Sequence, residues 1–241
     1  MDHNKISILS TRALNEDWID EAAQMNIEIE VNSFIETEAI QTVEVVEEIE
    51  VALLQSTTVV FTSVNAVHAV GENLEEQEPD WKIYCIGHAT KQQVETFFGE
   101  NAIAGFADNA EELAELIVDS EDTDEVIFFC GNKRREELPE ILIDHGIEVN
   151  EIVVYETIAT PHKLKDHYNG ILFFSPSAVE SFFQNNKPEE ETVLFAIGNT
   201  TASSIRKETN NKIIVSEEPS KEGMLRKLKE YYGIADGGSL M

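Results

Sequence analysis

One pattern of residues occurs twice in this chain. Phe61-Thr62-Ser63-Val64-Asn65-Ala66-Val67 is followed by Ile83-Tyr84-Cys85-Ile86-Gly87-His88-Ala89-Thr90; much later, Phe174-Ser175-Pro176-Ser177-Ala178-Val179 is followed by Phe195-Ala196-Ile197-Gly198-Asn199-Thr200-Thr201. Each copy is an apolar run ending in small hydroxyl residues, then a second apolar run ending in Gly-x-x-Thr. The spacing is held: Ser63 and Ser175 lie 112 positions apart, Gly87 and Gly198 111, Leu113 and Leu225 112. Solenoid repeats run from about 20 to 50 residues, so this period is far too long for one. It matches two similar domains of about 100 residues or more each.

Between and around the copies, apolar runs alternate with amphipathic segments. Strands are predicted at 6–9, 27–34, 58–62, 82–86, 126–130, 148–158, 170–174, 193–197 and 212–215. Helices are predicted at 18–25, 38–54, 66–74, 90–97, 110–117, 137–145, 178–185, 201–208 and 221–232. Strict alternation calls for an α/β fold, with parallel sheets, right-handed crossovers and helices on both faces. Two strand predictions break the rhythm. The stretches beginning at Ile27 and Ile147 run on through a second β-prone segment without a tight turn, as linkers between domains would. The chain would then cross near residue 35 and return near residue 156, giving one domain from residues 1–35 plus 157–241 and an inserted one from 36–156, with linker strands near 28–36 and 149–158.

The chain has 241 residues, 42% of them hydrophobic and 27% charged, which is enough apolar material for two modest cores. No run approaches the roughly 18 apolar residues of a membrane span, and Met1-Asp2-His3-Asn4-Lys5 lacks the parts of a signal peptide. A cytoplasmic location with no membrane partner is expected. The net charge of −30 argues against nucleic acid as a partner. Lys133-Arg134-Arg135 is the one basic triplet, and Glu136 and Glu137 follow it directly. The acidic stretches 44–50 and 75–80 read as solvated surface. Cys85 and Cys130 lie in apolar runs without metal-ligand spacing and read as reduced core thiols. The tail 236–241 has the composition of a frayed end.

The repeated turns carry the chemistry. Where a strand feeds a helix, the first helical N–H groups have no intrahelical partner and point beyond the strand end, forming an anion site that the helix dipole assists. Ser63 reads as an N-cap. Ser175 followed by Pro176 fits a cap and first turn, while Ser177-Ala178-Val179-Glu180 also reads as a capping box. The turns Gly87–Thr90 and Gly198–Thr201 would let a ligand approach the backbone closely. Taken singly, each turn is an ordinary helix cap; their recurrence in matching order is what points to a ligand. There is no Walker lysine, no GxGxxG and no metal-spaced cluster. The residues alone therefore indicate two α/β domains around an anion-binding cleft, and suit an enzyme or a non-catalytic module that clamps an anionic small molecule. A phosphoacceptor receiver fits less well, because Asp residues do not cluster after the strands.

In order and spacing, the following pieces resemble the uroporphyrinogen-III synthase family: Ser10-Thr11-Arg12, Phe61-Thr62-Ser63 with Asn65-Ala66-Val67, Ile86-Gly87 with Ala89-Thr90, Val154-Tyr155-Glu156-Thr157, Phe173 to Val179, Ala196-Ile197-Gly198 with Thr200-Thr201-Ala202, and Pro219-Ser220 before Gly223-Met224-Leu225. The resemblance implies two flavodoxin-like parallel-sheet domains joined by a two-stranded linker, with a cleft between them. It also implies the reaction: cyclisation of hydroxymethylbilane to uroporphyrinogen III, with loss of water and inversion of ring D through a spiro intermediate, by a monomer using no cofactor and no metal. Tyr155 matches the family's linker tyrosine and becomes the candidate general acid. The substrate-binding set is Thr11, Arg12, Thr62, Ser63, Asn65, Gly87, Thr90, Ser175, Ser177, Gly198, Thr200 and Thr201, with Lys133 or Arg134 as further cations. Two departures stand out: Ala13 where a proline is common, and Cys130-Gly131 where the family usually has Arg-Gly.

Overall fold

The computed structural model describes residues 5–75, 77–120, 123–218 and 220–233. The predicted tail at 236–241 and the amino terminus through Asn4 lie outside the described residues. The chain begins with β1 (Ile6–Ser10), α1 (Glu16–Gln24), β2 (Ile27–Val31) and β3 (Ile35–Ala39). It continues through α2 (Val43–Leu53), β4 (Thr57–Phe61), α3 (Val64–Gly71), β5 (Trp81–Ile86), α4 (His88–Phe98), a single 3-10 turn (Glu100–Ala102) and β6 (Ile103–Ala107). Next come α5 (Ala110–Val118), β7 (Glu125–Gly131), α6 (Glu137–Asp144) and β8 (Glu148–Ala159). The last elements are β9 (Gly170–Phe173), α7 (Pro176–Asn185), β10 (Val193–Ala196), α8 (Asn199–Glu208), β11 (Ile213–Val215) and α9 (Lys221–Tyr232). Among the described residues no helix is long and apolar enough to cross a membrane.

The chain forms two compact units, one made of the residues up to Glu36 and from Ile158 onward, the other of Thr37–Thr157. The first is built on a five-stranded sheet of order β11-β10-β9-β1-β2, parallel throughout. The second is built on the order β3-β8-β7-β4-β5-β6, parallel from β8 to β6. Near-continuous apolar runs such as Val59-Val60-Phe61 and Val126 to Cys130 are buried, as strands covered on both faces must be. Each sheet carries one apolar cluster per face. In the inserted unit, α2, α3 and α4 supply one cluster, through Ile49, Val67 and Val94, and α5 and α6 the other, through Leu113 and Leu138. In the first unit, α1 and α9 share a cluster through Trp18 and Leu225, and α7 and α8 share the opposite one through Phe182 and Ile205. Each such side chain, fully buried, contributes about 1.5–3 kcal/mol.

The repeat is visible in the topology. Its anchors superimpose β4 on β9, β5 on β10 and β6 on β11, and the order β8-β7-β4-β5-β6 then maps strand for strand onto β2-β1-β9-β10-β11. The two sheets share one arrangement that the chain enters at different strands, a circular permutation. In the first unit, numbered in chain order, it is 2-1-3-4-5, the order of flavodoxin-type sheets.

Several predicted elements need correction. The strand expected at 27–34 ends at Val31, where its partner β1 also ends (Ser10 opposite Val31), and a separate strand β3 begins at Ile35. The helix expected from 38 starts at Val43, because 38–39 complete β3 and Thr42 caps the helix by accepting from the Val45 N–H. Strand β6 is absent from the prediction, since Ile103-Ala104-Gly105-Phe106-Ala107 is short and contains a glycine. That glycine is required by packing: a Cβ at position 105 would stand 2.5 Å from Tyr84 Cδ1 and 2.6 Å from Cε1.

Candidate functional site

In a doubly wound sheet, ligands bind beyond the carboxyl ends of two neighbouring strands whose following helices leave on opposite faces. In the inserted unit that pair is β4 and β7: α3 follows β4 onto one face, and α6 follows β7 onto the other. Phe61 sits opposite Phe129 in the ladder, and their stacked rings, 5.5 Å apart, hold the two strands together just below the opening. Ser63 stands beyond the end of β4, and Gly131 is the last residue of β7. Tyr155 reaches this point from β8, its hydroxyl donating to Ser63 Oγ at 3.1 Å. Ser63 is the N-cap of α3 and accepts the Asn65 N–H at 3.2 Å through the same oxygen. Asn132 fixes the β8 backbone on both sides of Glu156: its N–H donates to the Tyr155 carbonyl at 3.1 Å, and its Oδ1 accepts the Thr157 N–H at 2.9 Å. Tyr155, Ser63 and Asn65 thus come together, with Thr62 half-buried between β4 and the cap.

The corresponding pair in the first unit is β1 and β9. Thr11, predicted as a ligand contact, is buried, and both its N–H (3.1 Å) and its hydroxyl (2.8 Å) donate to the Leu172 carbonyl across the two strands. Its side chain is committed to holding the turn. That turn carries Arg12, which is exposed and forms no ion pair among the described residues. A second cation missed in the sequence stands nearby. Lys221, the first residue of α9, donates to Asn15 Oδ1 at 3.3 Å. Burial, followed by the positive charge of Arg12, lowers its pKa. The sequence signal was Ser220 as the α9 cap, accepting the Gly223 N–H at 3.0 Å, but nothing local tied position 221 to position 12.

The four repeated turns divide into two kinds. Ser175 caps α7, accepting the Ala178 N–H at 3.1 Å, and Pro176 opens the helix; Ser177 lies inside it rather than acting as its cap. The serine turns therefore each spend one helical donor on their own side chain. At α4 and α8 the cap is Gly87 or Gly198, with no side-chain acceptor, and the first helical bonds are Lys91 N–H to Gly87 O and Ala202 N–H to Gly198 O. The N–H groups of residues 88–90 and 199–201 precede those bonds and have no intrahelical partner, the kind of donor that can bind an anion. A Cβ on either glycine would meet nothing within 4 Å, so the space over both turns is open. Gly87 has φ +87°, which selects glycine; Gly198 is extended and does not require it. Thr90 and Thr201 are buried in their helices, and Thr200 is exposed.

Within the basic triplet, Arg134 is not a free cation. Arg134 is bound to Glu151 and, at 3.1 Å, to Glu136, and the Glu151 bond raises its pKa. It braces α6 against β8 and offers no free charge.

Comparison with known proteins agrees with this architecture. The family model for uroporphyrinogen-III synthase HemD matches residues 17–226. The chain is similar to the uroporphyrinogen-III synthase of Saccharomyces cerevisiae, 26% identical over 175 residues, covering 62% of this chain and 64% of the yeast protein. The chain thus spans just under two thirds of that relative's length. Its fold is similar to the crystal structure of uroporphyrinogen-III synthetase from Helicobacter pylori, with TM-score 0.68 and 18% identity over 94% of this chain and 99% of that one. It is also similar to a mutant uroporphyrinogen III synthase from the extremely thermophilic bacterium Thermus thermophilus, with TM-score 0.65 and 14% identity over 95% and 100%. With a family model covering most of its length and a parallel α/β architecture shared with solved members, the chain belongs to the uroporphyrinogen-III synthase family.

Proposed function

We propose that the chain is a uroporphyrinogen-III synthase: a cyclising lyase that converts hydroxymethylbilane to uroporphyrinogen III, with ring D inverted and water lost, as a cytoplasmic monomer without cofactor or metal. The observation that carries this reading is the Tyr155–Ser63 hydrogen bond at the strand ends where an α/β sheet binds ligands. It puts a phenolic proton donor in contact with a helix-capping turn in a member of this family. The substrate is a polycarboxylate, and a chain of net charge −30 would repel it at long range. Affinity must then come from local donors: the amides at the two glycine turns, and Arg12 with Lys221. The interdomain cleft and two-stranded linker expected for the family belong to this proposal.

The bilane loses hydroxide readily to give an azafulvenium electrophile, and spontaneous closure yields the uninverted isomer. The protein's work is chiefly positioning, so that the substituted carbon of ring D attacks first. Acid assistance to the departing hydroxyl comes from the Tyr155 side of the site. The test is purified protein with hydroxymethylbilane, scoring uroporphyrin I against III by chromatography. Formation of III in proportion to enzyme is expected; isomer I alone at every enzyme concentration refutes the reading.

A further inference from the structure

The hydroxyl hydrogens at Ser63 and Tyr155 can be accounted for. Ser63 Oγ accepts the Asn65 N–H at 3.2 Å, a bond whose direction cannot reverse, because an amide has no lone pair to offer. The contact to Tyr155, 3.1 Å, holds a single hydrogen. Of the two hydroxyls the phenol is the stronger acid, so it donates and serine accepts. Ser63 Oγ then has two incoming hydrogen bonds and one O–H of its own, with no acceptor for it among the described residues. The tyrosine proton is already engaged, while the serine proton is the one available to a ligand lying over the β4 and β7 ends. Gly131 closes the tyrosine's other side: a Cβ there would lie 2.6 Å from Tyr155 Cε2 and 2.8 Å from its hydroxyl oxygen. The ring therefore rests on bare backbone, in an orientation that a larger residue would not permit.

We propose that Ser63, not Tyr155, is the group that hands a proton to the substrate, with Tyr155 behind it as the proton source. This rests on the reading of the chain as a synthase. As the carbon–oxygen bond of the bilane's hydroxymethyl group breaks, its electron pair goes to oxygen. Ser63 Oγ–H supplies the proton that makes the leaving group water, and the Tyr155 proton moves onto Ser63 Oγ. A phenolate and an azafulvenium ion remain. The ion is consumed when ring D attacks, and the final ring carbon releases one proton as the pyrrole regains aromaticity, which restores the phenol. Protons balance over the turnover, and the net change is loss of one water.

The relay is tested by steady-state kinetics of Ser63→Ala, Ser63→Asn, Tyr155→Phe and the Ser63→Ala/Tyr155→Phe double variant, with melting temperatures measured alongside. Asparagine keeps the N-cap acceptor but has no ionisable proton, so it separates capping from catalysis. The expected result is a fall in kcat on the order of 10²-fold for each serine variant, at least equal to that of Tyr155→Phe, with little change in KM. The double variant should be no slower than Ser63→Ala, since both act in one chain. In mixed light and heavy water, wild-type kcat should show two protons in flight and Tyr155→Phe one. If Ser63→Ala and Ser63→Asn keep wild-type kcat while Tyr155→Phe does not, or if the single losses add in the double variant, the relay is wrong. Either result is distinct from failure of the synthase reading, in which wild-type protein itself yields only isomer I.

Discussion

Gly131 and Tyr155 fit together only because one of them has no side chain. The phenol ring lies against the glycine backbone at the end of β7, where any Cβ would overlap it. Gly131→Ala should therefore cost stability in the range of overpacking, about 1–3 kcal/mol. It should also displace the phenol from Ser63. The expected outcome is a folded protein whose kcat falls toward that of Tyr155→Phe and whose product shifts toward isomer I. Wild-type kcat and product ratio in Gly131→Ala would show that the ring's placement is immaterial to turnover.

Arg12 and Lys221 make a second testable pair. Neither forms an ion pair among the described residues, and the lysine's pKa is lowered by burial and by Arg12 against an opposing effect of Glu222. A substrate carboxylate between them would relieve that repulsion. Lys221→Ala and Arg12→Ala should each raise KM several-fold with a smaller effect on kcat. Because the lysine's pKa is lowered, it loses its proton at a lower pH than an ordinary lysine. Wild-type KM should accordingly rise as the medium becomes alkaline, and should rise less in Lys221→Ala. A KM insensitive to both substitutions removes the pair from the binding surface.

Thr11 supplies the contrast. Its buried hydroxyl donates to the Leu172 carbonyl at 2.8 Å, a bond that ties β1 to β9. Thr11→Val removes this donor while leaving the Thr11 N–H bond to the same carbonyl. A loss of about 1–2 kcal/mol in stability is expected, read by denaturant unfolding. KM should change far less than in Arg12→Ala. A large KM effect without destabilisation would return Thr11 to the ligand contacts.

The contrast also shows what local sequence carries. Apolar runs such as Val126 to Cys130 and caps such as Ser63 and Ser175 were legible because their causes lie within a few residues: burial on both faces, and an acceptor two or three positions before an orphan amide. The repeat spacing carried the shared strand arrangement. What could not be read depended on distant partners. Strand β3, with Glu36, Thr37 and Glu38 exposed, exists because β8 lies beside it. Gly105 suits a strand only because the Tyr84 ring lies over it. Arg134, in the loop after β7, looked like a free cation until Glu151 on β8 was placed beside it. Tyr155 stood 92 positions from Ser63, and no periodicity links them.

The two thiols provide a stability prediction with a definite sign. Cys85 on β5 and Cys130 on β7 are buried in the two clusters on opposite faces of the inserted unit's sheet. Burial pushes each thiol up from an ordinary 9.0 to about 11, opposed by Lys91 at Cys85 and, at Cys130, reinforced by Glu151 and opposed by Arg134. A pKa that is higher in the folded state means that the neutral thiol is favoured by folding. The contribution is whole below pH 9 and is lost as pH rises toward 11. The rise from 9.0 to about 11 sets an upper limit of about 3 kcal/mol per thiol. Denaturant unfolding of wild type and of Cys85→Ala/Cys130→Ala at a series of pH values should show a gap that narrows across that window. Alkylation of native protein at about pH 8 should be much slower than of unfolded protein, because the buried groups hold almost no thiolate. A gap that stays constant from about pH 8 to 11, together with rapid native alkylation, would mean that one of the two strands opens readily to solvent.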